Sequence, residues 1–216
     1  MTTNVKISAA LVAAFVLGVI AFLGLNGRDS DASGAGATGD VAAVREDSHR
    51  LSTAPDGRVT LVEFLDFECE SCLAAYPFVE QLREDYDGRV TFVARYMPMP
   101  GHANGENAAV AVEAAAQQER FEDMYHRMYE TQPEWGESQE SQAPLFRTFA
   151  EEMGLDMDDY DAAVADPSTL ERVLQDRDDG LALGVEGTPT FFLNGEKVEA
   201  QTTDEFIALI DAALAG

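Results

Sequence analysis

The chain has 216 residues, enough for one good-sized domain with additions, and its hydrophobic content of 46% is ordinary for a globular protein. Its charge is not ordinary: 14 basic against 40 acidic residues give −26. Such a surface repels nucleic acid and other polyanions, so a nucleic-acid partner is excluded, and the charge reads as a strongly solvated exterior with some adaptation to salt.

From Ile7 to Leu25 no residue is charged, a run of 19 residues, long enough to cross a hydrocarbon core of about 30 Å as a helix. Lys6 and the amino terminus precede it, and Arg28, Asp29 and Asp31 follow. The positive-inside rule then keeps residues 1–6 as a cytoplasmic tail, makes 7–25 a single transmembrane anchor and sends the remainder outside. The rival reading is a cleaved signal peptide, but the run exceeds a usual signal core and Ala35-Gly36-Ala37 lies far from its end. Both readings put the remainder outside the cytoplasmic membrane, where disulfides persist. Residues 26–57, rich in Gly, Ala, Ser, Asp and Thr, read as a flexible linker. Within them Val41 to Leu51 is either a short helix or an added edge strand, and His49 is a bystander.

A domain is expected over 58–216. Arg58 to Phe67 is nearly continuous in apolar residues, which suits a central strand buried on both faces. Glu63 interrupts it, and a carboxyl so placed either keeps its proton at neutral pH or is served by water. A helix follows from Cys72 to about Glu84, with a kink expected at Pro77, and Arg89 to Met97 alternates into a second strand, parallel to the first. From about 103 to 183 the pattern is helical. Apolar faces (Ala108, Val112, Ala115, Ala116; Phe121, Met124, Tyr125, Met128; Leu145, Phe149, Met153) are separated by a polar break from Thr131 to Gln142. Two short helices close this insertion, the second started by Asp166-Pro167-Ser168. Phe191 to Leu193 is a strand, Asn194-Gly195 a hairpin turn, and Thr203 to Leu214 a closing amphipathic helix.

Both cysteines of the chain lie in Phe67-Glu68-Cys69-Glu70-Ser71-Cys72, where the first strand turns into a helix. A structural disulfide framework would use more cysteines at wider spacing, and a structural zinc site wants four ligands. His49, His102 and His126 make no ligand pair with one another. Two thiols at this spacing can open and close a disulfide without moving the fold, and the helix start favours the Cys69 thiolate by roughly 0.5–2 kcal/mol. Glu68 and Glu70 oppose it by on the order of 1 kcal/mol each or less. The balance predicts a Cys69 pKa of about 6–7. Glu63, six residues earlier and on the strand face of Leu65 and Phe67, is placed to move a proton to or from Cys72. His102, after Pro98-Met99-Pro100-Gly101, either shapes a turn or reaches the thiolate.

The dithiol at a strand–helix junction together with the distant Gly187-Thr188-Pro189-Thr190-Phe191-Phe192-Leu193-Asn194-Gly195 resembles the thioredoxin superfamily, and the helical insertion narrows the resemblance to its DsbA-like branch. It covers about Val59 to the C-terminus. The resemblance implies an α/β thioredoxin-like fold with an inserted helical subdomain. It makes Cys69 the attacking and Cys72 the resolving cysteine of a redox-active disulfide, Pro189 a cis-proline facing them, and Thr188 the residue whose backbone meets an extended substrate. Glu63 falls where the family often places its buried acid. The departure is the dipeptide, Glu70-Ser71 where a strongly oxidising member has Pro-His. The implied function is a thiol–disulfide oxidoreductase acting on exported proteins, with a membrane redox partner that recycles the dithiol and no cofactor. A reductase dedicated to one client, or a non-catalytic binding module on the same fold, are the alternatives.

Overall fold

The structure, a computed structural model, describes residues 42–216. The expected tail and anchor lie outside the described residues. Among the described residues no helix is long and apolar enough to cross a membrane.

A five-stranded sheet carries β1 (His49–Ser52), β2 (Thr60–Leu65), β3 (Thr91–Tyr96), β4 (Thr190–Leu193) and β5 (Glu196–Lys197) in the order β1-β3-β2-β4-β5. The apolar run before Cys69 is the middle strand. β2 pairs parallel with β3, from Thr60 opposite Thr91 to Leu65 opposite Tyr96, and antiparallel with β4, where Phe64 faces Thr190. Its side chains alternate between two cores. Leu61, Leu65 and Phe67 enter the larger one, together with Cys72, while Val62 and Phe64 join Val93, Met97 and Phe192 in a smaller one on the other face. Glu63 therefore shares its face with the dithiol. The Asn194-Gly195 turn joins β4 to β5 with both residues at positive φ (51° and 86°), the geometry such a hairpin requires.

Between β2 and β3 runs α1 (Glu70–Asp85), unbroken through Pro77. The insertion comprises α2 (Gly105–Ala116), α3 (Phe121–Trp135), α4 (Ala143–Glu152), α5 (Met157–Ala165) and α6 (Pro167–Ala182), and α7 (Thr203–Ala215) closes the chain. Asp156 and Asp166 cap α5 and α6 by accepting from the first-turn N–H groups, and Pro167 stands in the first turn of α6, where a missing N–H costs nothing.

Two expectations need correction. The linker does not extend to 57: Ala43, Leu51 and Ala54 are buried, and β1 adds antiparallel to the free edge of β3. The Ala54 N–H donates to Thr91 Oγ1 at 2.9 Å, and Arg95 Nη1 donates to the Ala43 carbonyl at 2.9 Å. Of the two alternatives for Val41 to Leu51, the edge strand is the one found. The polar break does not begin at Thr131 either. α3 continues to Trp135, because Gln132 and Trp135 face inward and the Trp135 ring packs edge-on against Phe146 at 4.8 Å.

Candidate active site

The turn from β2 to α1 presents the dithiol. Cys69 sits at the cap position of α1 with extended dihedrals (φ −73°, ψ 121°), and its carbonyl accepts from Leu73 N at 3.1 Å. Its side chain thus stands at the open N-terminal end of the helix, half-buried, whereas Cys72, one turn in, is 1% exposed. Both thiols are free. Opposite them the Thr188–Pro189 bond is cis, and the Cys69 thiol donates to the Thr188 carbonyl at 3.4 Å. Cys69 and Thr188 are 119 positions apart in the chain, and the β2–β4 pairing closes that span and sets the Cys69 turn beside the approach to β4.

The two sulfurs are driven apart electrostatically. Cys69 is pulled down to about 4, chiefly by the hydrogen bond from the Cys72 thiol, then by the Thr188 side chain and the N–H groups of Cys72 and Ser71, all against the cost of partial burial. Burial pushes Cys72 far up, helped by its bond to Cys69 and by the charge of Glu63. This overturns the expected 6–7 for Cys69. The simple sum of helix dipole against two glutamates left out the Cys72 and Thr188 donors. It also misplaced Glu68, whose carboxylate is buried and turned away to accept from the Asn104 N–H at 2.6 Å.

Glu63 is buried and pushed up to about 8, mostly by desolvation and then by the charges of Glu80 and Cys69. The nearby Tyr125 and Tyr129 hydroxyls are buried and unpaired among the described residues. With a value of about 8 a fraction of Glu63 is ionised near neutral pH, and that carboxylate, beneath a buried thiol, can take the Cys72 proton when that sulfur must ionise.

A cleft of about 440 Å³ opens over the site, lined by Glu68, Cys69, Glu70, Gly101, His102 and Glu137 among others. His102 makes no hydrogen bond to Cys69; its Nδ1 donates to Asp66 at 2.6 Å. His49 lies elsewhere, stacked on Phe121 at 4.1 Å and bonded to Glu113 at 2.6 Å. Three supporting residues escaped sequence reasoning. Gln132 Nε2 donates to the carbonyls of Phe67 (2.7 Å) and Cys69 (3.1 Å), bracing the turn from α3. Asp66 and Asn104 tie the same turn to the start of α2. Apart from the Glu68 N–H on Asp66, their partners are 33 to 65 residues away in the chain, so no local pattern announces them.

The profile of a family described as thioredoxin matches residues 49–212. Among solved structures, oxidised BdbD from Bacillus subtilis superimposes with a TM-score of 0.68 at 22% identity, covering 78% of this chain and 94% of that one. The alpha-DsbA1 of Wolbachia pipientis gives 0.69 at 18%, over 80% and 93%. A thioredoxin-like oxidoreductase from Silicibacter pomeroyi gives 0.67 at 26%, over 83% and 99%. Curated relatives include the Na(+)/H(+) antiporter NhaA 3 of Salinispora tropica, 36% identical over 158 residues, 73% of this chain and 23% of that protein. Another is NhaA 1 of Mycolicibacterium gilvum, 34% identical over 148 residues, 66% and 23%. The chain spans about a quarter of the length of these curated relatives.

Proposed function

The chain belongs to the thioredoxin family, and we propose that it is a DsbA-like thiol–disulfide oxidoreductase that makes, breaks or reshuffles disulfides in exported proteins through Cys69 and Cys72. The observation that carries this reading is the asymmetry of the two sulfurs. One is half-exposed, stabilised as a thiolate and beside the Thr188 carbonyl at 3.4 Å; the other is buried and held as a thiol.

In the reductive direction the Cys69 thiolate attacks a substrate disulfide. A Cys69–substrate bond forms, the substrate S–S bond breaks, and the electron pair leaves on the second substrate sulfur. The Glu63 carboxylate then takes the Cys72 proton, the Cys72 sulfur attacks the Cys69 sulfur, and the Cys69–substrate bond breaks; the substrate leaves as two thiolates that take protons from Glu63 and water, leaving the Cys69–Cys72 disulfide. Oxidation of a substrate is the same sequence reversed. Thr188 offers its backbone to an extended substrate segment, and Pro189 holds that backbone against the sulfurs. A thiolate stabilised this far favours the reduced enzyme, so its disulfide form is an oxidant.

The location proposed for this chemistry is outside the cytoplasmic membrane, with residues 7–25 as anchor and a membrane redox partner recycling the dithiol; protease accessibility in intact cells against lysed ones tests it. Oxidation of reduced RNase and reduction of insulin, each with Cys69→Ala as control, test the activity. Activity that survives Cys69→Ala would sink the dithiol mechanism. The reading of one dedicated client draws on the relatives, whose matched stretch belongs to proteins named as antiporters. Proteins trapped as mixed disulfides by Cys72→Ser separate it from a general role.

A further inference from the structure

Asp66 and His102 stand beside the cleft with no part in the steps above. Asp66, at the end of β2, is 2% exposed, and its carboxylate takes three donors. The Glu68 N–H reaches one oxygen at 2.9 Å; the Met99 N–H (2.7 Å) and His102 Nδ1 (2.6 Å) reach the other. The start of α2 presses on it from a further side, since a Cβ on Gly105 would lie 3.0 Å from Asp66 Oδ1. Asp66 is thereby fixed to the segment that carries Cys69 and to the one that carries His102. A carboxylate only accepts, so Nδ1 holds a proton, and Nε2 is the nitrogen left over. That nitrogen bonds no protein group among the described residues. The His102 side chain is 34% exposed and lines the same cleft as Cys69.

We propose that His102, oriented by Asp66, is a positioning residue for the reacting sulfur, its imidazolium stabilising the Cys69 thiolate from the cleft wall in the role that no side chain between the two cysteines fills. The charged groups around the ring are Asp66 and Glu68 from the β2–α1 turn, Cys69 and Glu70 at the start of α1, and Glu137 after α3. All are acidic and favour the charged ring. Burial works against that charge, yet His102 is raised by Asp66 and then by Cys69 and Glu68. Linkage makes the effect mutual: a thiolate that strengthens the hold of His102 on its proton is itself stabilised by the same amount. His102 is not consumed; it favours the form of Cys69 that attacks and, in the reverse direction, the form that leaves.

The inference rests on the dithiol reading, and its test separates the two. The full-length reduced protein is titrated by thiolate absorbance near 240 nm, and its equilibrium with glutathione is measured. His102→Gln moves the Cys69 midpoint up by about 0.5–1 pH unit, and the equilibrium shifts about 3–10-fold toward the disulfide form. His102→Lys, which restores a positive charge without the ring, returns the midpoint most of the way. A folded His102→Gln protein that titrates as the parent does, or a His102→Lys protein displaced as far as His102→Gln, would overturn the proposal and leave His102 as a turn residue. Either result leaves the dithiol reading standing if Cys69→Ala is inactive. A parent protein inactive on both RNase and insulin would remove that reading whatever His102 does.

Discussion

Cys69 and Glu63 are shifted in opposite senses, and each shift fixes a pH dependence. Cys69 titrates at about 4 in the folded dithiol against 9.0 for an unperturbed thiol. Between those values the unfolded chain binds more protons, so the stability of the reduced protein rises with pH across that window. The disulfide form has no such group. Scanning calorimetry of the two forms should therefore find the reduced protein melting higher at pH 7, with the gap narrowing as pH falls toward 4; a gap that stays constant contradicts the shift. For Glu63 the sign reverses. Its folded value of about 8 lies above the ordinary 4.5, so the folded state holds the extra proton and loses stability as pH rises between the two. Glu63→Gln should gain stability progressively over that window, by on the order of 3–5 kcal/mol at its upper end, while slowing closure of Cys72 onto a mixed disulfide by about 10–100-fold. Urea melts at several pH values and the decay of a trapped intermediate check the two halves. Glu63 was legible in the sequence because a carboxyl inside an apolar run has few cheap explanations. The Asp66 contacts were not, because nothing near Asp66 in the chain indicates that Met99 and His102 will reach it.

Local pattern was enough for the elements that present the sulfurs. An apolar run buried on both faces, a cap position and a helix start are properties of neighbouring residues, and β2, α1 and the Asn194-Gly195 hairpin follow from them. Elements whose existence depends on distant partners were misread. Residues 42–57 look like a tether until β3 offers its edge, and the last turn of α3 looks polar until Gln132 finds the carbonyls of Phe67 and Cys69. α6 shows the same dependence on packing. Its Gly180 lies against the β2–β3 face, where a Cβ would meet Phe64 Cδ1 at 3.0 Å and Met97 Sδ at 3.1 Å. On propensity alone Gly180→Ala should stabilise a helix interior by up to about 1 kcal/mol. The close approach reverses the sign, since Phe64 is fully buried in the smaller core and has nowhere to retreat. We expect Gly180→Ala to destabilise by about 1–3 kcal/mol in urea titration. A stabilised variant would mean that α6 can lift from the sheet without cost.

Across the whole molecule two kinds of charge respond differently to salt. Arg95, fully buried on β3, donates to Asp176 and Asp179 of α6 at 2.6 Å each and to the Ala43 carbonyl, and Arg45 pairs with the same Asp179. This network joins the N-terminal segment, the sheet and the insertion, and mobile ions cannot enter to screen it. The exterior is another matter. With a net charge of −26, like charges repel over distances that depend on the Debye length, about 30 Å at 0.01 M salt and 3 Å at 1 M. Exposed pairs such as Arg58–Asp56 and Arg147–Asp161 weaken with salt too, but pairs so open to solvent contribute little. Relief of the net repulsion should outweigh their loss, because unpaired carboxylates far outnumber the 14 basic residues available to them. The expected outcome is a Tm that climbs between 0.01 and 0.5 M sodium chloride and then flattens as screening saturates. A Tm that falls over that range would mean that local ion pairs, not the excess of negative charge, set the electrostatic stability of the fold.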